Sequence, residues 1–261
     1  MDLMYDYGMV SVIMPSWKCA RFISETINSL IDQSYRNWEL LIQDDCSTDG
    51  TYEVLKPYLS DHRIKYECNH HNSGAAITRN NALRRATGRW IAFLDSDDLW
   101  EPEKLEHQLK FMAENGYKFS YTCYQEIDSD SQETGVIVRG PRHVSKFGMY
   151  AFCWPGCLTV MYDREAIGLI QVEDIKKNND YAMWLKVVKR ADCYLLDEVL
   201  AKYRRGRIGS ISTHGYATMI RWHYKLWHEA EDEKVIGSVF WTCLNLICGV
   251  YKKLFFVKRL K

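Results

Sequence analysis

The sequence predicts an α/β protein in which helices flank a mostly parallel sheet and a helical C-terminal tail follows. Three observations predict it. Through the first half, short β-branched or apolar runs alternate with helical patterns, as strand-helix-strand units require. Two of those runs end in acids, Asp44-Asp45 and Asp95-Ser96-Asp97-Asp98, at the strand ends outside which open sheets bind ligands. From about Tyr216 the alternation stops and helical spacing alone remains.

Taken in order, residues 10–14 read as a buried strand closed by Pro15, and Phe22, Ile23, Thr26, Ile27, Leu30 and Ile31 fall on one helical face. Residues 38–43 form the next strand, ending on Asp44 and Asp45, and 52–59 a short helix after the turn CSTDG. A third strand covers 64–67, a helix introduced by Ser73 and Gly74 covers 75–86, and a fourth strand at 90–94 runs into the acidic cluster. Pro102 opens another helix, since its missing N–H costs nothing in a first turn. After a strand at 119–124, residues 125–150 hold Asp128, Asp130, Gly135, Gly140 and Pro141 with little periodicity, and read as loop and short hairpin. A strand near 157–162 precedes a helix at 180–189 with Tyr181, Trp184, Leu185 and Val188 on one face, then two short strands at 193–196 and 199–203.

Charge and cysteine usage exclude several classes. Six of the 34 Lys and Arg residues follow Glu233, the last acid, so residues 1–233 hold 28 bases against 34 acids, a balance of −6. An acidic body with a basic tail is not a nucleic-acid binder but suits a tail that meets anionic lipid. Nine cysteines stand singly with no CxxC pair, the pattern of free thiols in a reducing cytosol and not of a disulfide framework or zinc site. The start MDLMYDYGMV carries acids and no apolar segment, so no signal peptide is expected and the chain is expected in the cytoplasm.

Asp95, Asp97 and Asp98 lie within four residues and repel one another, so a cation among them is the simplest explanation of the cluster. Oxygen ligands favour Mg²⁺ or Mn²⁺ over zinc. The sequence has neither a GxxxxGK[ST] loop nor GxGxxG, so a bound diphosphate would need a metal to neutralise it.

The run VSVIMPSWK, then YRNWELLIQDDCSTDGT, then NSGAAITRNNALRRATGRWIAFLDSDDLWEPEKLEHQ resembles the nucleotide-binding half of family 2 glycosyltransferases, which have the GT-A fold, a Rossmann-like mixed sheet. The likeness covers about residues 9–110 in register and continues more loosely to about 213. It implies a GT-A domain over residues 1–213, with a nucleotide-binding half at about 1–124 and an acceptor half at about 125–213, followed by a tail over 214–261.

The resemblance also implies roles. Pro15 would lie beside the nucleotide, and Asp45 would accept a hydrogen bond from the uracil ring, since a carboxylate only accepts. Arg79 is similar to an arginine near the base and phosphates. Asp95 and Asp97 match the DxD motif, with Asp97 on the metal, Mn²⁺ or Mg²⁺, and Asp95 on the ribose or on the metal through water; Asp98 is a helper. The segment NNDYAMWLK resembles EDYDLWLRL, which puts the catalytic base at Asp180 and leaves Asn179 where the family has glutamate. YRRGRIGSIS resembles a loop that closes over the diphosphate; Arg204 matches its arginine, and the neighbourhood of Arg205 and Arg207 replaces its histidine.

Residues 235–250 are nearly all apolar, and 251–261 mix Leu254, Phe255, Phe256, Val257 and Leu260 with five bases. That apolar run is shorter than the roughly 20 residues a spanning helix needs, and predicts an interfacial helix on the inner face of the cell membrane. A core helix or a homodimer contact is the other reading of it.

Family 2 members are inverting. The processive QxxRW motif is missing, because Thr218 precedes Arg221-Trp222 where glutamine is needed. The resemblance therefore implies transfer of one sugar from a nucleotide diphosphate donor, such as UDP-glucose or UDP-galactose, to a polyprenyl diphosphate-linked saccharide in bacterial O-antigen or capsule synthesis. A nucleotidyltransferase would share metal carboxylates but needs an early glycine-rich basic loop, and a non-catalytic sugar-binding scaffold would have lost Asp97 or Asp180; neither expectation fits these residues.

Overall fold

A computed structural model describes residues 5–175, 177–206 and 216–259. Its centre is the parallel set β1 (Val10–Ser16), β2 (Trp38–Asp44), β3 (Ile64–Cys68) and β4 (Trp90–Phe93), with β1 between β2 and β4 and β3 outside β2. Nearly every residue of β1, β2 and β4 is buried, because helices cover both faces, and this is why their sequences run apolar without alternation. On one face Ile23, Ile27 and Leu30 of α1 (Ile23–Ile31) pack with Leu55 of α2 (Thr51–Leu55). On the other lie Ala82 and Leu83 of α3 (Ala75–Arg84).

The sheet then turns mixed. After β5 (Leu99–Trp100) and α4 (Lys104–Asn115) come β6 (Phe119–Ile127), β7 (Glu133–Val138), β8 (His143–Val144), α5 (Lys146–Ala151), β9 (Met161–Asp163), α6 (Arg164–Ile167), α7 (Asn179–Val188) and β10 (Cys193–Arg204). β9 is antiparallel to both β4 and β6, and β10 runs parallel to β6. Trp184 of α7 is fully buried beside Phe93 and Phe119, so α7, the helix expected to carry the base, is pinned to β4 and β6.

Several elements differ from expectation for local reasons. The helix expected at 52–59 divides into α2 and a 3₁₀ turn at Lys56–Ser60, where Pro57 cannot donate an N–H. α4 starts at Lys104 and not at Pro102, because Gln33 at the end of α1 accepts from the Leu105 N–H (2.9 Å) and supplies the missing cap. The stretch 125–150 contains the expected hairpin, β6 with β7, and also α5, whose cap Ser145 accepts from the Gly148 N–H (3.3 Å). Of the expected strand at 157–162 only Met161 and Tyr162 pair in the sheet, as part of β9; Cys157–Thr159 is a 3₁₀ turn. The two strands expected at 193–203 are one, β10, with irregular pairing between Leu196 and Ala201. Asp197 and Glu198, between the two expected strands, project outward to Arg139 and His107.

The tail holds α8 (Tyr216–Lys225), a π-helical turn at Leu226–Ala230 and α9 (Val235–Phe255). α9 is 21 residues long and runs past the apolar segment, because Lys252 is accommodated by donating to the Trp154 carbonyl (2.8 Å). By length and composition it suffices to cross a membrane, contrary to the short run expected. The chain then forms β11 (Val257–Arg259), antiparallel to β7, so it returns to the sheet. A three-residue strand carries no periodicity by which a sequence could announce it. Among the described residues, eleven strands share one sheet.

Candidate active site

The carboxyl ends of β1, β2 and β4 meet at one edge of the sheet. Asp44 is buried and accepts from Ser16 Oγ (3.0 Å), the Ser47 N–H (2.7 Å) and Ser47 Oγ (2.7 Å), which fixes the turn after β2. Asp45 accepts from Asn69 Nδ2 (2.8 Å) and from the N–H groups of Ser73 (2.7 Å) and Gly74 (2.8 Å). Three of about four acceptor positions on this carboxylate are therefore filled by the chain. Gly74, with φ of +83°, lets the backbone turn from that carboxylate into α3. Pro15 is half-buried at the end of β1, paired in register with Gln43.

A cavity of about 480 Å³ opens beside this edge, and Arg79, Asp95, Asp98 and Asp180 line it. Segments more than eighty residues apart in sequence thus meet across one space. Arg79, on α3, is almost wholly buried; its Nη2 donates to Asp95 Oδ1 (2.9 Å) and its Nη1 to Asn179 Oδ1 (3.1 Å). One guanidinium therefore joins the acidic cluster to the start of α7. That bond also accounts for Asn179: a neutral amide oxygen holds Arg79 without adding another charge beside Asp180.

Asp180 lies in the first turn of α7, where the Tyr181 N–H donates to its Oδ1 (2.9 Å). Burial raises its pKa; Arg79 and that N–H oppose the rise, and Asp95 adds to it. Of the two other acids in this region, Glu173 is paired with Lys186 and Asp174 is exposed, and neither lines the cavity.

Within the cluster Asp95 is one-third exposed toward the cavity, whereas Asp98 is buried. Asp98 Oδ1 accepts from the Arg204 N–H (2.8 Å) and its Oδ2 has no partner; burial, Asp97 and Asp95 together hold the carboxyl well above its ordinary pKa. Asp97 is half-buried and is not among the residues that line the cavity. Among the described residues no three His, Cys, Asp or Glu side chains converge as a complete metal site.

Arg204 does not take the place expected of it. Its side chain is fully buried, with Nε donating to the Asp97 carbonyl (2.7 Å), Nη1 to the Asp128 carbonyl (3.1 Å) and Ser131 Oγ (2.8 Å), and Nη2 to Glu25 (2.7 Å). With four of its five N–H donors engaged and its side chain fully buried, Arg204 braces the loop that carries Asp97 and does not line the cavity. Arg205, half-exposed, lines the cavity in its stead; Arg207 lies outside the described residues. Arg204→Ala is expected to cost about 2–4 kcal/mol of stability, because it leaves the Asp97 and Asp128 carbonyls and the Ser131 hydroxyl without their buried donor. Urea unfolding measures it, and a midpoint within error of the parent would contradict this bracing role.

Sequence reading missed Tyr124, Tyr203, Lys177 and Trp222, which also line the cavity. Lys177 lies over the Trp222 ring at 5.1 Å, and Tyr124 meets Tyr203 edge to face at 5.8 Å. Trp222 comes from α8, whose helical pattern gave no sign of facing a site. A second hollow of about 440 Å³ beside β3 and α3 has neither the acidic cluster nor Asp180.

The family model described as "Glycosyl transferase family 2" matches residues 11–160, more than half of the chain. The chain belongs to glycosyl transferase family 2. It is a glycosyltransferase, and the nucleotidyltransferase reading is set aside. One relative is TuaG of Bacillus subtilis, a glycosyltransferase assigned provisionally by its name to teichuronic acid biosynthesis; it is 44% identical over 198 residues, 75% of this chain and 79% of that protein. Another is the Escherichia coli enzyme named UDP-Glc:alpha-D-GlcNAc-diphosphoundecaprenol beta-1,3-glucosyltransferase WfgD, 36% identical over 261 residues, 98% of this chain and 99% of that one. Among solved structures, Staphylococcus aureus TarS 1-349 in complex with UDP-GlcNAc superposes with a TM-score of 0.68 at 21% identity, covering 88% of this chain and 69% of that one. The superposition establishes the GT-A fold of this family 2 member.

Proposed function

We propose that this family 2 glycosyltransferase moves one hexose, with inversion, from a UDP-hexose such as UDP-glucose or UDP-galactose to a hydroxyl of a polyprenyl diphosphate-linked saccharide. The reaction would serve surface polysaccharide synthesis at the cytoplasmic face of the cell membrane. One observation carries this reading: Asp180 and the Asp95 cluster face a single cavity, joined through Arg79. Inversion needs a base on the side of the sugar opposite the leaving diphosphate, and these two groups come from separate segments on separate elements. The activity given in the name of WfgD, which this chain matches over nearly its whole length, supports the donor and acceptor classes.

In this mechanism Asp45 and Pro15 border the nucleotide and Asp95 holds the ribose side of the donor. Asp180 takes the proton from the acceptor hydroxyl as that oxygen attacks the anomeric carbon and UDP departs. Arg79 keeps Asp95 in place and adds positive charge near the leaving group. Asp97 and Asp95 would hold Mn²⁺ or Mg²⁺. Their donor set fits a hard cation that arrives with substrate phosphates, since such ions are bound by one or two carboxylates plus phosphate, and the unpartnered Oδ2 of Asp98 leaves a further oxygen nearby. The ion would neutralise charge on the departing diphosphate.

The test is to incubate the protein with Mn²⁺, a panel of UDP- and GDP-sugars, and a GlcNAc diphosphate carrying a short prenyl chain. The expected result is UDP release that requires acceptor, with one hexose added per acceptor. Acceptor-independent release from every donor, or polymer formation, would reject the proposal.

A further inference from the structure

α9 is amphipathic in the reverse of the usual sense. Ile236, Phe240, Cys243, Ile247, Val250 and Leu254 recur at three- to four-residue spacings on its outer side, all exposed, and up to Val250 no charge interrupts them. The inner side is polar: Ser238, Thr242 and Asn245 are buried against the protein, and Lys252 donates to the Trp154 carbonyl. A helix of 21 residues makes that outer stripe about 30 Å long. At its C-terminal end and after it Lys253, Lys258 and Arg259 are exposed, and no acid follows Glu233.

Both ends of this helix are attached to the same body. Trp241 packs on Tyr150 and Trp227 at one end, and at the other Lys252 meets Trp154 before β11 pairs with β7. A crossing orientation would pull β11 from β7 and put Asn245 and Lys252 into hydrocarbon, where unpaired polar groups cost several kcal/mol each. The helix therefore suits a bilayer surface in the plane of the interface.

One inward residue reaches the catalytic helix. Asn245 Nδ2 donates to Tyr181 Oη (3.2 Å) and to the Tyr150 carbonyl (3.1 Å), and Tyr181 Oη donates to the Met149 carbonyl (2.7 Å). Tyr181 follows Asp180 directly, and its N–H holds the Asp180 carboxylate. Two hydrogen-bonded side chains thus span from the apolar stripe to the base.

We propose that Asn245 is a positioning residue through which seating of α9 on an anionic bilayer orders the first turn of α7 and aligns Asp180. The proposal rests on the membrane reading given above. An acceptor held in the membrane gives this link its purpose: the base is set when the enzyme is where its acceptor is.

The experiment compares the full chain with Asn245→Leu, which keeps volume and removes the hydrogen bonds, and with Tyr181→Phe, which removes the hydroxyl they meet. Vesicles of phosphatidylglycerol and phosphatidylethanolamine are added, and three quantities are read: sedimentation with vesicles, amide hydrogen exchange over Asn179–Val188, and kcat with the short-chain acceptor. For the parent, vesicles are expected to slow exchange at Tyr181 and to raise kcat by about tenfold with the donor KM unchanged, a size consistent with realigning a catalytic group. Either variant should still sediment but show neither change.

If the parent does not sediment, the membrane reading fails and the proposal with it. If it sediments without protecting Asn179–Val188, the membrane reading stands and the link is overturned. Vesicle-induced protection that survives in both variants removes Asn245 from the path. Protection that grows with protein concentration in the absence of vesicles assigns the stripe to a second copy of the chain and also overturns the proposal.

Discussion

Asp180→Asn is expected to lower kcat by about 10²–10⁴-fold, the usual contribution of general-base assistance, while affinity for UDP and Mn²⁺ is unchanged. The substitution keeps the shape of the side chain and an oxygen that accepts from the Tyr181 N–H, and removes only basicity. Single-turnover transfer with calorimetry on UDP separates the two effects. A companion effect appears in the pH profile. Burial raises the Asp180 carboxyl pKa against the opposing pull of Arg79 and the Tyr181 N–H, with Asp95 adding to the rise. The base works only when deprotonated, so transfer should climb with pH along a limb displaced above the ordinary aspartate range, and the asparagine variant should lack that limb. Near-normal transfer, or loss of UDP binding in place of a loss of turnover, would displace Asp180 from the role. The pairing of Glu173 with Lys186 and its position off the cavity make it a poor substitute.

Asp97→Ala is expected to abolish the gain in UDP affinity that Mn²⁺ confers while leaving the metal-free fold as stable as before or more so. The second effect follows from electrostatics: Asp95, Asp97 and Asp98 crowd one another, and deleting one negative charge relieves the other two when no cation is bound. Titration calorimetry with and without Mn²⁺ reads the first effect and thermal unfolding without metal reads the second. Equal metal-supported affinity in the variant and the parent would transfer the metal role to Asp95 and the unpartnered Asp98 Oδ2, the two that line the cavity. Loss of the fold would instead show that the backbone braced by Arg204 depends on the Asp97 side chain.

The central parallel strands were legible because each is buried on both faces and must be apolar throughout, and the helices between them because only one side of each meets the sheet. The acids at the ends of β2 and β4 were legible for a similar reason. Charge immediately after a buried strand conflicts with the local pattern and marks a site. Arg204 was misjudged from the same kind of evidence, because an arginine in an exposed-looking basic run reads as a clamp until its acceptors are known. Those acceptors lie on Glu25, Asp97, Asp128 and Ser131, from three distant segments.

The sequence by itself determined the family, the order of the central elements and the residue types that the chemistry needs, since these depend on local periodicity and on motifs contiguous in the chain. Only the tertiary structure decided that Arg79 joins Asp95 to Asn179, that Arg205 and not Arg204 faces the cavity, that Trp222 overlooks it, and that α9 turns its polar side inward before β11 rejoins the sheet. Each of these is a contact between segments far apart in the chain, and its energy depends on burial and geometry that no local pattern of residues encodes.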